Sequence, residues 1–288
     1  MTMRVGTRGS ALALTLAGTV ASALGGELVT ITTTGDRDRG ALDKERWVRE
    51  LDNALLAGDI DLAVHSAKDV PAELPDGVII VATPPRASAL DALCGASSLE
   101  ALAPGARVGT SSLRRTAQLR ALREDLEVLE LRGNVDTRLQ RLADGDYEAI
   151  VLAQAGLDRL GRGDEATGTL EQLVPCGGQG VLAITARAGD APAFAATRAL
   201  NDAPTSICLR AERALVRALE ADCHTPVGAH ASLDGPALRL RAFVGRADGS
   251  AWISDALART DGAEDPEALG AEVAARLRAA GADEVLGR

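Results

Sequence analysis

Strand-like and helix-like runs alternate from the first residues of this chain, and that alternation restricts its fold more than any other feature. Residues 3–7 are short and β-like and pass through Gly9-Ser10 into an apolar stretch over 11–24, which predicts a helix with Ser10 as its N-cap. Residues 28–34, β-branched at nearly every position, predict a strand. Helical spacing through Trp47, Leu51 and Leu55 predicts a helix over 47–56, and 61–66 and 78–83 predict two more strands. Pro84-Pro85 and the small, polar 86–88 break this block. The pattern then resumes, with strands at 107–110, 126–131 and 147–153, each entering a helix, the first two helices starting at Leu113 and Val135. Such alternation predicts α/β layers on largely parallel sheets, with ligands at helix N-termini beyond the carboxyl ends of strands. Past a strand at 181–185 and a linker at 201–204, an amphipathic helix over 205–220, a strand at 238–244 and a helix at 267–280 predict a smaller α+β unit.

Three strand-to-helix corners join small residues to arginine: Thr7-Arg8-Gly9-Ser10, Gly109-Thr110-Ser111-Ser112-Leu113-Arg114-Arg115, and Arg132-Gly133-Asn134-Val135. None has the glycine spacing of a dinucleotide fingerprint or a phosphate-binding loop. Charge makes the arginines informative. Acidic residues outnumber basic ones 41 to 31, a net charge of −10 that repels nucleic acid and anionic membrane. Yet lysine occurs only at 44 and 68, and residues 107–141 hold eight arginines against five acids. Arginine forks grip carboxylate and phosphate bidentately, so this island predicts a site for an anionic small molecule, with helix-surface ion pairing as the competing explanation.

At 288 residues, 46% hydrophobic and 25% charged, the chain is expected to form two or three folded domains rather than a disordered or fibrous polymer. No run approaches the roughly 18 apolar residues of a membrane span, and the N-terminus lacks the pattern of a signal peptide, so a cytoplasmic protein is expected. Cys94, Cys176, Cys208 and Cys223 form no CxxC pair, and His65, His224 and His230 complete no metal-ligand spacing. Neither metal nor disulfide is expected, and buried free thiols are the default for all four. Cys223, in the polar turn Glu-Ala-Asp-Cys-His-Thr-Pro, is the one candidate for chemistry. His224 and Cys176 are given no role, core or loop packing being expected of each.

The stretch Asp61-Leu-Ala-Val-His-Ser-Ala-Lys-Asp-Val-Pro carries the chain into a core and then presents His65, Ser66, Lys68 and Asp69. Polar groups at the end of a buried strand must be paired or useful. Two readings are open on spacing: a Lys68–Asp69 pair closing a turn before Pro71, or Asp69 as a desolvated carboxylate that stabilises a cation or moves a proton.

These segments resemble the hydroxymethylbilane synthase, or porphobilinogen deaminase, family over nearly the whole chain. The resemblance rests on Thr7-Arg8-Gly9-Ser10, 61–71, 108–115, 131–139, 152–161, Gly178-Gln179-Gly180, Ala211-Glu212-Arg213-Ala214 and 219–228, in that order. It implies two periplasmic-binding-protein-like α/β domains, 1–86 with 180–200 and 87–179, plus a smaller C-terminal α+β domain, 203–288. It further implies a dipyrromethane cofactor held covalently by Cys223, onto which four porphobilinogens are joined head to tail with loss of ammonia before hydroxymethylbilane is hydrolysed off. By the same resemblance, Asp69 is the catalytic aspartate, stabilising the azafulvene cation left when ammonia departs, and Lys68 pairs with it or with a substrate carboxylate. Thr110, Ser111, Ser112, Arg114, Arg115, Lys68, Arg132, Gly133 and Asn134 are implied cofactor contacts, and Arg8, Ser10, Arg132, Arg138 and Arg159 substrate contacts, in a locally basic cleft. A monomer without metal, nucleic acid or membrane partners is implied.

The chain departs from the family pattern in places. The covering loop at 35–47 is shortened, with Lys44 kept and Trp47 where Phe is common. Thr15 and Leu16 replace an aromatic–Gln pair, Thr34 and Leu90 stand where basic residues are frequent, and Thr185 where an acid is frequent. A divergent homologue with altered activity and a non-catalytic bilobal anion binder are the rival readings.

Overall fold

Hydrogen bonds that a residue makes to its near neighbours fix where most elements start. The computed structural model describes residues 2–31, 45–222 and 224–288. In chain order, the elements begin with β1 (Arg4–Thr7), α1 (Ala11–Leu24), β2 (Glu27–Thr30), α2 (Glu45–Ala57), β3 (Leu62–Ser66) and β4 (Val78–Ala82). Next come β5 (Asp91–Cys94), β6 (Arg107–Gly109), α3 (Leu113–Leu122), β7 (Glu127–Leu129), α4 (Val135–Ala143), β8 (Ala149–Ala153), α5 (Gln154–Arg159) and β9 (Gly168–Leu170). The chain continues through β10 (Leu182–Arg187), α6 (Ala191–Thr197), α7 (Ala203–Ala218), β11 (Val227–Asp234), β12 (Ala237–Gly245), β13 (Trp252–Arg259), α8 (Pro266–Ala279) and α9 (Ala282–Val285). The described residues divide into two compact units, one reaching to Ala87 and including Gly180–Leu209, the other Ser88–Gln179 with Arg210–Arg288.

The first unit is a five-stranded sheet in the order β2-β1-β3-β10-β4. Strand β1 runs parallel to β2 and β3, whereas β10 is antiparallel to both of its neighbours. Side chains alternate across β3. Leu62 and Val64 join Val5, Leu16, Val20 and Ile184 under α1, and Ala63 points the other way, towards Leu51, Leu55 and Val78 under α2.

The second unit carries a sheet with a matching plan, β7-β6-β8-β5-β9, in which β6 is parallel to β7 and β8 and β5 is antiparallel to β8 and β9. One face packs Val108, Val128 and Val151 with Leu119 of α3, and the other packs Ile150 and Leu152 with Leu139 of α4 and Leu157 of α5. The same unit includes the antiparallel sheet β11-β12-β13, on which α8 packs against β12 and β13 and α7 runs against α8. Gly270 permits a tight approach of those two helices, because a Cβ there would collide with the Ala211 carbonyl. Phe243 of β12 packs on Ala117 and Val174, and Arg120 donates to the Ala247 carbonyl at 3.0 Å.

The expected α/β layers and smaller α+β unit are present, with two corrections. Neither five-stranded sheet is largely parallel, because β10 and β5 each return antiparallel. Strand β5 escapes a sequence reading because Asp91-Ala-Leu-Cys is buried at all four positions and so shows no alternation. Residues 201–204 are not wholly a linker: Ala203 and Pro204 open α7, where Asp202 accepts the Thr205 amide at 2.9 Å and hydroxyl at 2.7 Å. Strand β2 ends at Thr30, and most of the expected covering loop, with Thr34 and Lys44, lies outside the described residues, as does the side chain of Trp47.

Candidate active site

The second and third arginine-bearing corners meet in the second unit. Thr110 leaves β6 buried and accepts the Ser112 amide on its hydroxyl at 3.2 Å. Ser112 is the N-cap of α3, accepting the Arg115 amide at 3.5 Å. This turns Arg114 and Arg115 inward, where both are buried, with side-chain exposures of 4% and 7%. Their partner is Asp91 at the start of β5, with 0% exposure. Arg114 Nη1 and Nη2 donate to it at 2.8 and 3.2 Å, and Arg115 Nε and Nη2 at 2.9 and 2.7 Å. Burial by itself would raise the Asp91 carboxyl, but the two guanidinium charges and the hydrogen bonds from Arg114 and Gln179 hold it well below the usual carboxylate range.

At the third corner Asn134 caps α4 by accepting the Thr137 amide at 2.8 Å. Gly133 before it has a φ of 119°, and a Cβ there would stand 2.9 Å from Thr137 Cγ2, so only glycine fits without strain. Arg138, one turn into α4, folds back over this corner. Its Nε donates to the Gly133 carbonyl at 2.8 Å and its Nη2 to the Ser111 hydroxyl at 3.2 Å, which ties the two corners together. Neither contact is a carboxylate. Burial, aided by the charge of Arg115, pulls the Arg138 guanidinium down to about 10. Arg114 and Arg115 therefore share one carboxylate, with a third guanidinium, Arg138, beside them, and the buried Arg114 Nε–H has no hydrogen-bond acceptor. A largely buried cluster with more positive than negative charge favours an anionic ligand. A carboxylate-rich group such as dipyrromethane matches that donor set.

Arg132 and Arg159 lie in other surroundings. Arg132 is exposed and pairs with Glu130 at 2.7 Å. Arg159 ends α5 half-buried, its guanidinium lowered by burial against the opposing pull of Asp158.

In the first unit, Ser10 caps α1 by accepting the Ala13 amide at 3.3 Å. Strand β3 ends in a single 3₁₀ turn, Ala67–Asp69, with Lys68 and Asp69 half-buried on it. His65, buried beneath, is hydrogen-bonded to the Thr185 hydroxyl at 3.1 Å. Burial pushes its imidazole down to about 4, Asp69 opposing and Arg8 reinforcing that shift, so His65 is neutral at physiological pH and lies within the fields of Arg8 and Asp69. Asp69 is thus less desolvated than the sequence suggests, since the turn lifts it out of the core.

Cys223 lies outside the described residues. Beside it, the Asp222 carboxylate accepts the His224 amide at 2.9 Å and the Thr225 hydroxyl at 2.6 Å, and His224 itself is exposed rather than packed. Cys94 is buried, with burial pushing its thiol up to about 11; Cys208 is also buried, whereas Cys176 is only half-buried. Asp91 was not among the sequence candidates. Its only local signal was a lone acid entering an apolar run, Leu90-Asp-Ala-Leu-Cys.

Residues 3–195 match the family described as porphobilinogen deaminase, dipyromethane cofactor binding domain, and residues 206–279 match its C-terminal domain. Porphobilinogen deaminase of Rubrobacter xylanophilus is 46% identical, covering 98% of this chain and 96% of its own. Those of Stenotrophomonas maltophilia and Deinococcus radiodurans are 45% and 43% identical, each over 99% of this chain and over 99% and 98% of their own lengths. The chain belongs to the porphobilinogen deaminase family.

Proposed function

We propose that Arg114, Arg115 and Arg138 bind the carboxylates of dipyrromethane and of the growing pyrrole chain, and that Asp69 is the catalytic aspartate of a hydroxymethylbilane synthase. The observation that carries this reading is the cationic centre in which Arg114 and Arg115 share Asp91, Arg138 lies beside them, and the Arg114 Nε–H has no acceptor. As a porphobilinogen deaminase, the enzyme is a transferase of tetrapyrrole synthesis with a dipyrromethane cofactor. It joins four porphobilinogens head to tail, releasing ammonia each time, and hydrolyses off hydroxymethylbilane. Each pyrrole unit brings an acetate and a propionate, so the cationic centre is matched to a ligand whose negative charge grows with every turn.

Dipyrromethane, when bound, supplies the pyrrole α-carbon to which the first substrate unit is joined. Cys223 holds it through a thioether. Arg114 and Arg115 orient carboxylates through their forks, with Arg132, Thr110, Ser111 and Ser112 adding donors and Gly133 and Asn134 keeping the backbone close. On the first unit Arg8 and Ser10 bind substrate carboxylate, as do Arg138 and Arg159 on the second. When ammonia leaves porphobilinogen, positive charge spreads onto the pyrrole nitrogen; the Asp69 carboxylate accepts that N–H and stabilises the cation. Lys68, next to it, offsets a substrate carboxylate. His65 below stays neutral and adds no competing charge. The reading includes a three-domain division at 1–86 with 180–200, 87–179 and 203–288, a monomer, and a cytoplasmic location; among the described residues, no helix is long and apolar enough to cross a membrane.

Incubation with porphobilinogen tests it. The wild-type chain should release hydroxymethylbilane and carry a covalent mass gain. Asp69→Ala should keep its circular dichroism spectrum and lose at least ~100-fold in turnover, the order seen when a group stabilising transition-state charge is removed. A variant as active as wild type removes Asp69 from the mechanism, and a wild-type chain that binds porphobilinogen unchanged supports the bilobal binder instead.

A further inference from the structure

Asp91 is the acid that the sequence did not flag, and its hydrogen bonds are unusually directional. Besides the four from Arg114 and Arg115, Gln179 Nε2 donates to Oδ1 at 2.9 Å and to the Ala89 carbonyl at 2.7 Å. The turn bearing Gln179 is itself anchored, because the Gly178 amide donates to the buried Glu212 carboxylate at 2.7 Å. Backbone carbonyls fix the far side of each guanidinium: Val174 accepts from Arg114 Nη1 and Val151 from Arg115 Nη1, both at 2.8 Å.

A guanidinium offers two in-plane edges to a carboxylate, Nε with Nη2 and Nη1 with Nη2. Asp91 occupies the Nη1–Nη2 edge of Arg114 and the Nε–Nη2 edge of Arg115. The edge left over on Arg114 is the one containing its buried Nε–H, which has no acceptor. Which edge Asp91 leaves open decides where a ligand carboxylate can sit and in which plane.

We propose that Asp91, braced by Gln179, is a positioning residue that fixes which edges of Arg114 and Arg115 are presented to the carboxylates of the cofactor. This rests on the proposed function of the arginine centre and extends it to two residues that never touch the ligand. Charge alone argues against keeping an acid there, because an internal carboxylate beside an anion site repels the anion. Geometry and charge therefore predict opposite signs when the acid is neutralised. If Asp91 only balanced charge, Asp91→Asn would leave a more cationic centre that takes up the cofactor at least as well. If it positions, uptake falls although the site has become more positive.

The measurement is the fraction of purified chains carrying the covalent adduct, by intact mass, after expression in porphobilinogen-replete cells, with circular dichroism as the check on folding. Asp91→Asn is expected to fold and to carry the adduct in at least a five-fold smaller fraction. Gln179→Leu, which leaves every charge in place, is expected to lose two- to three-fold, and Asp91→Glu to recover part of the Asp91→Asn loss. Folded Asp91→Asn protein loaded to the wild-type level overturns the proposal. Should Asp91→Asn fail to fold, wild-type loading in Gln179→Leu overturns it instead. A wild-type chain without adduct overturns the functional reading, and the positioning role with it.

Discussion

Arg138 should lower the stability of the protein whenever no ligand carboxylate is present. Burial and the charge of Arg115 pull its guanidinium down to about 10, well below the usual arginine range. Each unit of such a shift is worth about 1.4 kcal/mol, so holding the charged form in the fold costs about 3 kcal/mol. The sign follows from linkage: a base depressed in the folded state leaves the unfolded chain binding more protons, so the cost is fully present at neutral pH and is relieved only as pH rises past about 10. Arg138→Met, of similar volume and without charge, removes that cost and forfeits hydrogen bonds to the Gly133 carbonyl and Ser111 hydroxyl. Both acceptors are partly solvated, so their loss returns roughly 1 kcal/mol. The net expectation is a gain of about 2 kcal/mol in urea unfolding at pH 7, measured in a Cys223→Ser background that carries no tethered carboxylates. In the Cys223-containing chain carrying dipyrromethane the gain should shrink or reverse, because the wild-type arginine then has its counter-ion. If Arg138→Met is no more stable than its parent without the cofactor, the claim that ligand carboxylates compensate this charge is wrong.

Cys223→Ser should purify without the covalent mass gain; a gain of the same size would place the attachment elsewhere. His65 makes the fold acid-sensitive. Burial holds its imidazole at about 4 against 6.5, so the unfolded chain binds more protons between those values, and stability falls by up to about 3 kcal/mol as pH drops through that window. His65→Gln should flatten that part of the stability–pH curve in urea titrations, and an unchanged slope would show that other groups cause it. Asp52 of α2 is buried, with burial raising its carboxyl to about 6 and one of its oxygens lacking a hydrogen-bond partner. A carboxyl raised by folding costs stability above its folded pKa and none below its unfolded one, so Asp52→Asn should stabilise the protein by about 1–2 kcal/mol at pH 8 and by nothing at pH 3. Calorimetry at the two pH values reads the difference, and a gain at pH 3 would indicate a steric cause.

Much of the candidate site was legible because its scaffolding is local. Ser10, Ser112 and Asn134 each cap a helix through a hydrogen bond to the residue three positions on, a relation visible in any sequence window. Arg114 and Arg115 follow their cap within the same turn, so their inward direction comes with the motif. The lone acid Asp91 was passed over because the contacts that give it meaning come from 23, 24 and 88 residues away. His65 stood out as a polar residue at the end of a buried strand, but its partner Thr185 lies 120 residues further on, across the antiparallel pairing of β10 with β3.

The sequence by itself determined the alternation of strand and helix, the three arginine-bearing corners and the anionic class of ligand, because each depends on residue types a few positions apart. Tertiary structure decided the rest. It made both five-stranded sheets mixed, since a strand returning from a distant segment can pair in either direction and its composition is the same in both. It also decided which arginines are drawn in around Asp91 and which stay at the surface. Arg107, Arg123 and Arg141 belong to the same cationic island as Arg114, Arg115 and Arg138, yet they sit at the surface beside Glu148, Asp125 and Asp146. The difference is dielectric: a surface guanidinium is satisfied by water and one neighbouring acid, whereas Arg114 and Arg115, buried around Asp91 with Arg138 beside them, hold more positive than negative charge, which favours an anionic ligand.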